Sequence, residues 1–194
     1  MELTLCVEGN IGVGKTTFLQ SLLSEDSKVK DTFQIVPEPV GLWQKVFGRA
    51  GSSKVFNILE AFYAEPSRYA YTFQNYVFMT RFLQEKTTRG SGCPIRIMER
   101  SVLSDRNVFT ESLLDNGWLT ELEYGLYEAW FDPMIKNFPT LVPDGFVYLR
   151  ADPETCMRRL RRRARCEELD VDLPYLLSLH DKHERWLNSF HPGK

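Results

Sequence analysis

The chain of 194 residues carries 24 lysines and arginines against 26 aspartates and glutamates, a formal net charge of −2, with 43% hydrophobic and 13% aromatic residues. That balance excludes a disordered chain and the strong positive excess of a protein that wraps nucleic acid, and no apolar run reaches the ~18 residues of a membrane span. One compact domain over residues 1–194 is expected. No basic-then-apolar leader precedes the first strand, and cysteines Cys6, Cys93, Cys156 and Cys166, with no C-x-x-C pair, fit a reducing, cytoplasmic setting.

"LTLCV" (3–7) is a short apolar, β-rich run that breaks at Gly9, ahead of a helical stretch that begins near Gly14 and carries Phe18, Leu19, Leu22 and Leu23. "FQIV" (33–36) predicts a second strand, stopped by Pro37 and Pro39, which can continue neither a ladder nor a helix interior. Helical patterns follow over 52–64 and 68–86, "TTRGSGC" (87–93) reads as a loop, and "IRIM" (95–98) as a third strand. Helices over 101–116 and 119–136, a fourth strand at "GFVYL" (145–149), and helices over 152–165 and 172–188 complete the pattern. Short strands alternating with helices predict an α/β fold whose parallel sheet is covered on both faces.

Between the first strand and first helix lies "GNIGVGKTT" (9–17), which satisfies G-x-x-x-x-G-K-S/T in the strand-to-helix context the motif requires. Backbone amides of Gly9, Asn10, Ile11, Gly12, Val13 and Gly14 can converge on a polyphosphate at the positive end of the helix, followed by Lys15, Thr16 and Thr17. Lys15 suits the β and γ phosphates and Thr16 a magnesium ion, so ATP or GTP with Mg²⁺ is expected. The guanine-reading N-K-x-D and the D-x-x-G of GTPases are absent from the sequence, which leaves small-molecule kinases.

Such a kinase needs cations for an anionic acceptor, or a carboxylate to take the proton of a neutral alcohol. Ligand groups project from the carboxyl ends of parallel strands. The second strand leads into Glu38 in "PEPVGLW", with no arginine beside it, which favours the alcohol; a solvated loop carboxylate is the alternative. The third strand ends in "MERS", putting Glu99 and Arg100 at the same rim: Glu99 can share the metal with Thr16, and Arg100 can pair with the acceptor region or with Glu38.

"EGNIGVGKTT", "PEPVGLW", "YTFQNYV", "MERSVLSDR" and "RRRARCEE" occur in the order and rough spacing of the deoxynucleoside kinases, and the chain resembles that family over almost its whole length. The resemblance implies a P-loop kinase with a central parallel sheet of four or five strands, helices on both faces and an arginine-rich lid at about 159–170. It implies Glu38 as base toward a 5′-hydroxyl, assisted by Arg100. Trp43, Phe73 and Phe109 would wall the base pocket, Gln74 would make paired hydrogen bonds to the base, and Tyr63 with Glu168 would hold the 3′-hydroxyl. Residue type alone leaves the aromatics as ordinary core. Arg159, Arg163 and Arg165 would contact the donor, while Arg158, Arg161 and Arg162 would face solvent or neighbouring acids.

The resemblance further implies that Arg81 and Asp105 read the base. Both types stand at these positions in deoxycytidine and deoxyguanosine kinases, against apolar or small residues in thymidine-accepting relatives; a surface salt bridge is the alternative. The expected substrates are therefore ATP, with Mg²⁺, and deoxycytidine or purine deoxynucleosides ahead of thymidine. A homodimer is implied, with neither nucleic acid nor membrane as partner. A nucleoside monophosphate kinase of the thymidylate kinase type is the second reading, opposed by a carboxylate, not a cation, after the second strand. Family members continue past "HERWL" to a further strand, whereas this sequence stops at "NSFHPGK".

Overall fold

The computed structural model of the chain describes residues 2–24 and 32–189; the side chains of Leu23 and Ser24 and the end of the "NSFHPGK" segment, 190–194, lie outside the described part. In chain order, β1 (Leu3–Glu8) runs through the glycine loop into α1 (Lys15–Ser24), followed by β2 (Phe33–Val36) and α2 (Val40–Gln44). A two-stranded antiparallel hairpin, β3 (Val46–Phe47) with β4 (Val55–Phe56), precedes α3 (Ile58–Ala64) and the long α4 (Pro66–Thr88). After β5 (Ile95–Glu99), helix α5 (Val102–Ser104) continues through a π-helical turn, Asp105–Thr110, into α6 (Glu111–Asp115). The described part closes with α7 (Glu121–Asn137), β6 (Gly145–Tyr148), α8 (Pro153–Arg163) and α9 (Leu173–Ser189).

β2, β5, β1 and β6 form, in that order, a four-stranded parallel sheet. Register places Val36 beside Met98, Val7 beside Glu99 and Glu8 beside Tyr148, so the carboxyl ends of all four strands open along one rim. Side chains alternate between faces as the pleat requires. Val7 and Ile97 pack with Leu19 of α1 on one face, while Cys6, Val36, Met98 and Phe146 occupy the other, where Phe146 meets Trp186 of α9 at 5.2 Å. On that second face the fully buried Arg96 of β5 is held by Glu85 of α4 and by Thr4 of β1, so a charge that burial alone would make costly keeps both an ion pair and hydrogen bonds.

The helix expected over 52–64 begins only at Ile58. Val55, Phe56, Leu59, Phe62 and Tyr63 have helical spacing, but the first two belong to β4, and the Asn57 side chain accepts from the Glu60 N–H at 3.0 Å, capping α3 at that point. Pro66 opens α4, where its missing N–H costs no helical bond.

Candidate active site

The glycine loop is shaped by two backbone approaches. A Cβ on Gly9 (φ 140°) would stand 2.3 Å from the Leu149 carbonyl oxygen, and one on Gly12 (φ 76°) 2.4 Å from that of Cys156, so no larger residue fits either place. Asn10 Oδ1 accepts from the Ile11 N–H and its Nδ2 donates to the Leu176 carbonyl of α9, both at 2.8 Å, which ties the loop to that helix. Lys15 Nζ is buried and donates to the carbonyls of Gly9 and Asn10 at 3.0 and 2.9 Å. Burial, then the nearby Arg100 charge, push the Lys15 ammonium down to about 7, against the partial support of Glu38 and Glu99.

Every residue expected from the sequence to bind ATP, metal or acceptor or to take part in catalysis, except Gly9 and Asn10, borders one cleft of about 990 Å³ at the carboxyl rim of the sheet. Those two instead offer their backbone carbonyls to Lys15 Nζ. At the centre of the cleft Glu38 Oε1 is 2.8 Å from Arg81 Nη2 and 3.3 Å from Arg100 Nε. Burial alone would raise the Glu38 carboxyl, but Arg81, Arg100 and Lys15 outweigh it and hold it below the usual carboxylate range. Arg81 also donates from Nε to Asp105 Oδ2 at 2.7 Å and from Nη1 to the Glu99 carbonyl at 3.1 Å, and both Arg81 and Asp105 are buried. The pair is therefore no surface salt bridge. Sequence reasoning paired Arg81 with Asp105 alone, whereas the structure joins Asp105, Arg81, Glu38 and Arg100 in one chain.

Arg100 takes a left-handed backbone (φ 67°), its N–H donating to the Val7 carbonyl at 3.1 Å and its guanidinium lying 4.7 Å from the Phe109 ring centre. Ser101 beside it caps α5 and donates to Glu8 Oε1 at 2.6 Å. Glu8, fully buried, was missed by sequence reasoning. It reads as part of an apolar strand end, and only the strand pairing reveals what it supports.

One end of the cleft is aromatic. Trp43 meets Phe73 edge-on at 5.6 Å and donates from Nε1 to Thr80 Oγ1 at 2.9 Å; Phe62 stacks on Phe73 at 4.9 Å. Phe62 was not singled out, although its position one residue before Tyr63 on a capped helix was a usable signal. Gln74 is 4% exposed, and its Oε1 is buried without a hydrogen-bond partner. Burial, with Tyr175 and Glu168 nearby, pushes the Tyr63 phenol well above its usual range, so it stays protonated and can donate.

In the arginine-rich segment Arg159 donates to the Val13 carbonyl of the loop, and Arg163 and Arg165 both pair with the buried Glu168. The other three arginines are exposed, as expected of a solvent-facing side: Arg161 donates to the Leu169 and Val171 carbonyls and Arg158 to Thr155 Oγ1, while Arg162 also borders the mouth of the cleft.

Thr16 Oγ1 donates to Glu99 Oε1 at 2.7 Å, bringing two hard oxygen ligands together beside Lys15. Among the described residues no cluster of three His, Cys, Asp or Glu side chains could hold a metal. That donor set fits magnesium, which binds through one or two protein oxygens plus phosphates and water, rather than an all-protein cage.

The family model described as deoxynucleoside kinase matches residues 5–192. Mitochondrial deoxyguanosine kinase of Xenopus laevis is 41% identical, the match covering 94% of this chain and 72% of that protein. Deoxycytidine kinase 2 of Gallus gallus is 35% identical over 94% of this chain and 73% of its own length, and mitochondrial thymidine kinase 2 of Homo sapiens 39% identical over 94% and 63%. Among the described residues no helix is long and apolar enough to cross a membrane.

Proposed function

The chain belongs to the deoxynucleoside kinase family, a family of ATP-dependent phosphotransferases, and from that premise we propose that it phosphorylates the 5′-hydroxyl of deoxycytidine and purine deoxynucleosides ahead of thymidine, supplying monophosphates for salvage. The observation that carries this ranking is the buried Arg81–Asp105 pair, 2.7 Å apart, in the same cleft as the unpartnered Gln74 Oε1. A buried acceptor without a donor is costly unless a ligand completes it. Gln74 and Asp105 both offer oxygens to an exocyclic amino group, which cytosine, adenine and guanine carry and thymine lacks.

The chemistry follows from the charges. Glu38, kept ionised by Arg81 and Arg100, takes the proton of the 5′-hydroxyl as its oxygen attacks the γ-phosphorus and the bond to the β-phosphate oxygen breaks. Lys15 and Arg159 stand where negative charge spreads over the phosphate oxygens, and Arg100 orients Glu38. Thr16 and Glu99 would hold a magnesium ion, which when bound neutralises charge on the β and γ oxygens. Tyr63 and Glu168 hold the 3′-hydroxyl, while Trp43, Phe73 and Phe109 enclose the base. A single domain with its lid at about 159–170, a cytoplasmic setting and a homodimer belong to the same reading. For the dimer, support comes from exposed Met79 and Leu83 on α4 and Leu122 and Leu126 on α7, helices that pack together through Phe78 and Phe131.

Turnover with ATP of deoxycytidine, deoxyadenosine, deoxyguanosine and thymidine, beside deoxycytidine and thymidine monophosphates, tests the reading. The three amino-bearing nucleosides should lead. Best use of thymidine would refute the ranking, and exclusive use of monophosphates would refute the acceptor class.

A further inference from the structure

Glu167 precedes Glu168 in the lid, yet its partners lie outside the lid. Its Oε1 accepts from Gln44 Nε2 at 2.8 Å and from Asn57 Nδ2 at 2.9 Å, residues 123 and 110 positions away in sequence. Gln44 ends α2, directly after Trp43 of the aromatic cage. Asn57 caps α3, the helix that carries Phe62 and Tyr63, and because its Oδ1 accepts from Glu60 its Nδ2 is committed to the lid. One carboxylate oxygen thus joins the lid to both helices around the aromatic end of the cleft. Arg163 and Arg165 grip Glu168 from within the lid itself, which shapes that segment but does not fasten it to the body.

We propose that Gln44, Asn57 and Glu167 form a latch that holds the lid down at the acceptor end of the cleft and so positions Glu168 for the sugar. The latch rests on the functional reading only in taking Glu168 as the sugar-binding group. All three are positioning residues, and none is needed for phosphoryl transfer. Hydrogen bonds to an ionised oxygen are roughly twice as strong as neutral ones, so two amide donors on one carboxylate oxygen suffice to bias a surface segment toward one position. Opening the latch lets Glu168 shift relative to the helix that carries Tyr63, without touching Glu38, Lys15 or the glycine loop. The cost of breaking it therefore falls on acceptor binding more than on the chemical step.

Asn57 separates the latch from a merely structural role. Aspartate caps a helix as well as asparagine does, so Asn57→Asp keeps α3 capped while setting a second carboxylate against Glu167. Hydrogen exchange of the peptide covering 163–171, measured on the full chain, should quicken about tenfold in Glu167→Ala and in Asn57→Asp, the factor that corresponds to ~1.4 kcal/mol. KM for the deoxynucleoside should rise by a similar factor while kcat stays within about threefold, and the melting temperature of Asn57→Asp should not move. Adding Glu167→Gln to Asn57→Asp restores a donor and an acceptor in reversed order and should rescue both exchange and KM. Unchanged lid exchange in both single variants, or a combined variant as impaired as Asn57→Asp alone, would overturn the latch. If the unmodified protein turned over no deoxynucleoside, the functional reading would fall, and the exchange measurements would still decide the latch.

Discussion

Arg81 Nη2 lies 2.8 Å from Glu38 Oε1, closer than the 3.3 Å between that oxygen and Arg100 Nε. The arginine paired with Asp105 toward the base is thus also the nearer cation on the carboxylate proposed as general base. In the proposed mechanism base selection and proton transfer share one guanidinium, so a change at Arg81 is expected to reach both.

Replacing Glu38 by glutamine keeps the volume but removes the proton acceptor. We expect kcat to fall by ~10² to 10⁴, the usual range for a general base, with ATP and deoxynucleoside affinity largely kept. Calorimetric binding alongside steady-state rates checks this, and near-normal turnover would exclude Glu38 as the base.

Arg81→Met with Asp105→Ala should move substrate preference toward thymidine, since the pair's removal leaves room for a methyl group and deletes the acceptor for an amino group. It should also shift the acidic limb of kcat/KM to higher pH. Glu38 sits below the usual carboxylate range because of its cations, led by Arg81, and losing that charge raises its pKa, so more of it is protonated at a given acidic pH. A substrate ranking and an acidic limb both unchanged from the parent protein would count against the shared guanidinium.

Burial, then the Arg100 charge, push the Lys15 ammonium down to about 7. A polyphosphate reverses that balance, so ATP binding near pH 7 should take up a fraction of a proton that Lys15→Ala does not. Binding enthalpies measured in buffers of different ionisation enthalpy report the difference between the two proteins. Lys15→Ala should also abolish transfer, with circular dichroism confirming that the fold is kept.

His183 is fully buried, its Nδ1 held by the Leu179 carbonyl at 2.6 Å and its ring stacked on Tyr148; burial, then Arg100, push it down to about 3 from the ordinary 6.5. The unfolded chain therefore binds a proton below 6.5 that the folded one refuses until about 3. This group's contribution to stability is complete above 6.5 and is lost as pH falls, by about 1.4 kcal/mol per pH unit. Urea unfolding at pH 7 and pH 5 should show a loss of ~2 kcal/mol from this source, which His183→Leu removes.

Leu83→Glu with Leu122→Glu places charges in the exposed apolar stripe of α4 and α7. Light scattering should find a dimer in the unmodified protein and a monomer in this variant. An unmodified protein that is already monomeric would remove the homodimer from the proposal.

The motif-bearing parts of the site were legible in one dimension because their chemistry is local. The spacing of Gly9, Gly12, Gly14 and Lys15 describes a phosphate cradle wherever a strand meets a helix, and Glu38, Glu99 and Arg100 follow the ends of apolar strands, where a parallel sheet exposes ligands. The arginine cluster of the lid could be seen, and the family resemblance already separated Arg159, Arg163 and Arg165, which border the cleft, from the exposed Arg158, Arg161 and Arg162; the pairing of Arg163 and Arg165 with Glu168 could not. Hairpin β3–β4 was hidden by the helical spacing of Val55, Phe56, Leu59, Phe62 and Tyr63, and only the Asn57 cap breaks that pattern. Tertiary structure decided the rest. That Arg81 serves Glu38 as well as Asp105, that buried Glu8 anchors Ser101 beside Arg100, and that Gln44 and Asn57 reach Glu167 are contacts between residues 43, 93, 123 and 110 positions apart. Sequence periodicity sets which face of an element is apolar, but the partner of a buried charge depends on how strands and helices from distant parts of the chain are brought together, and desolvation makes those partners decisive for its charge state.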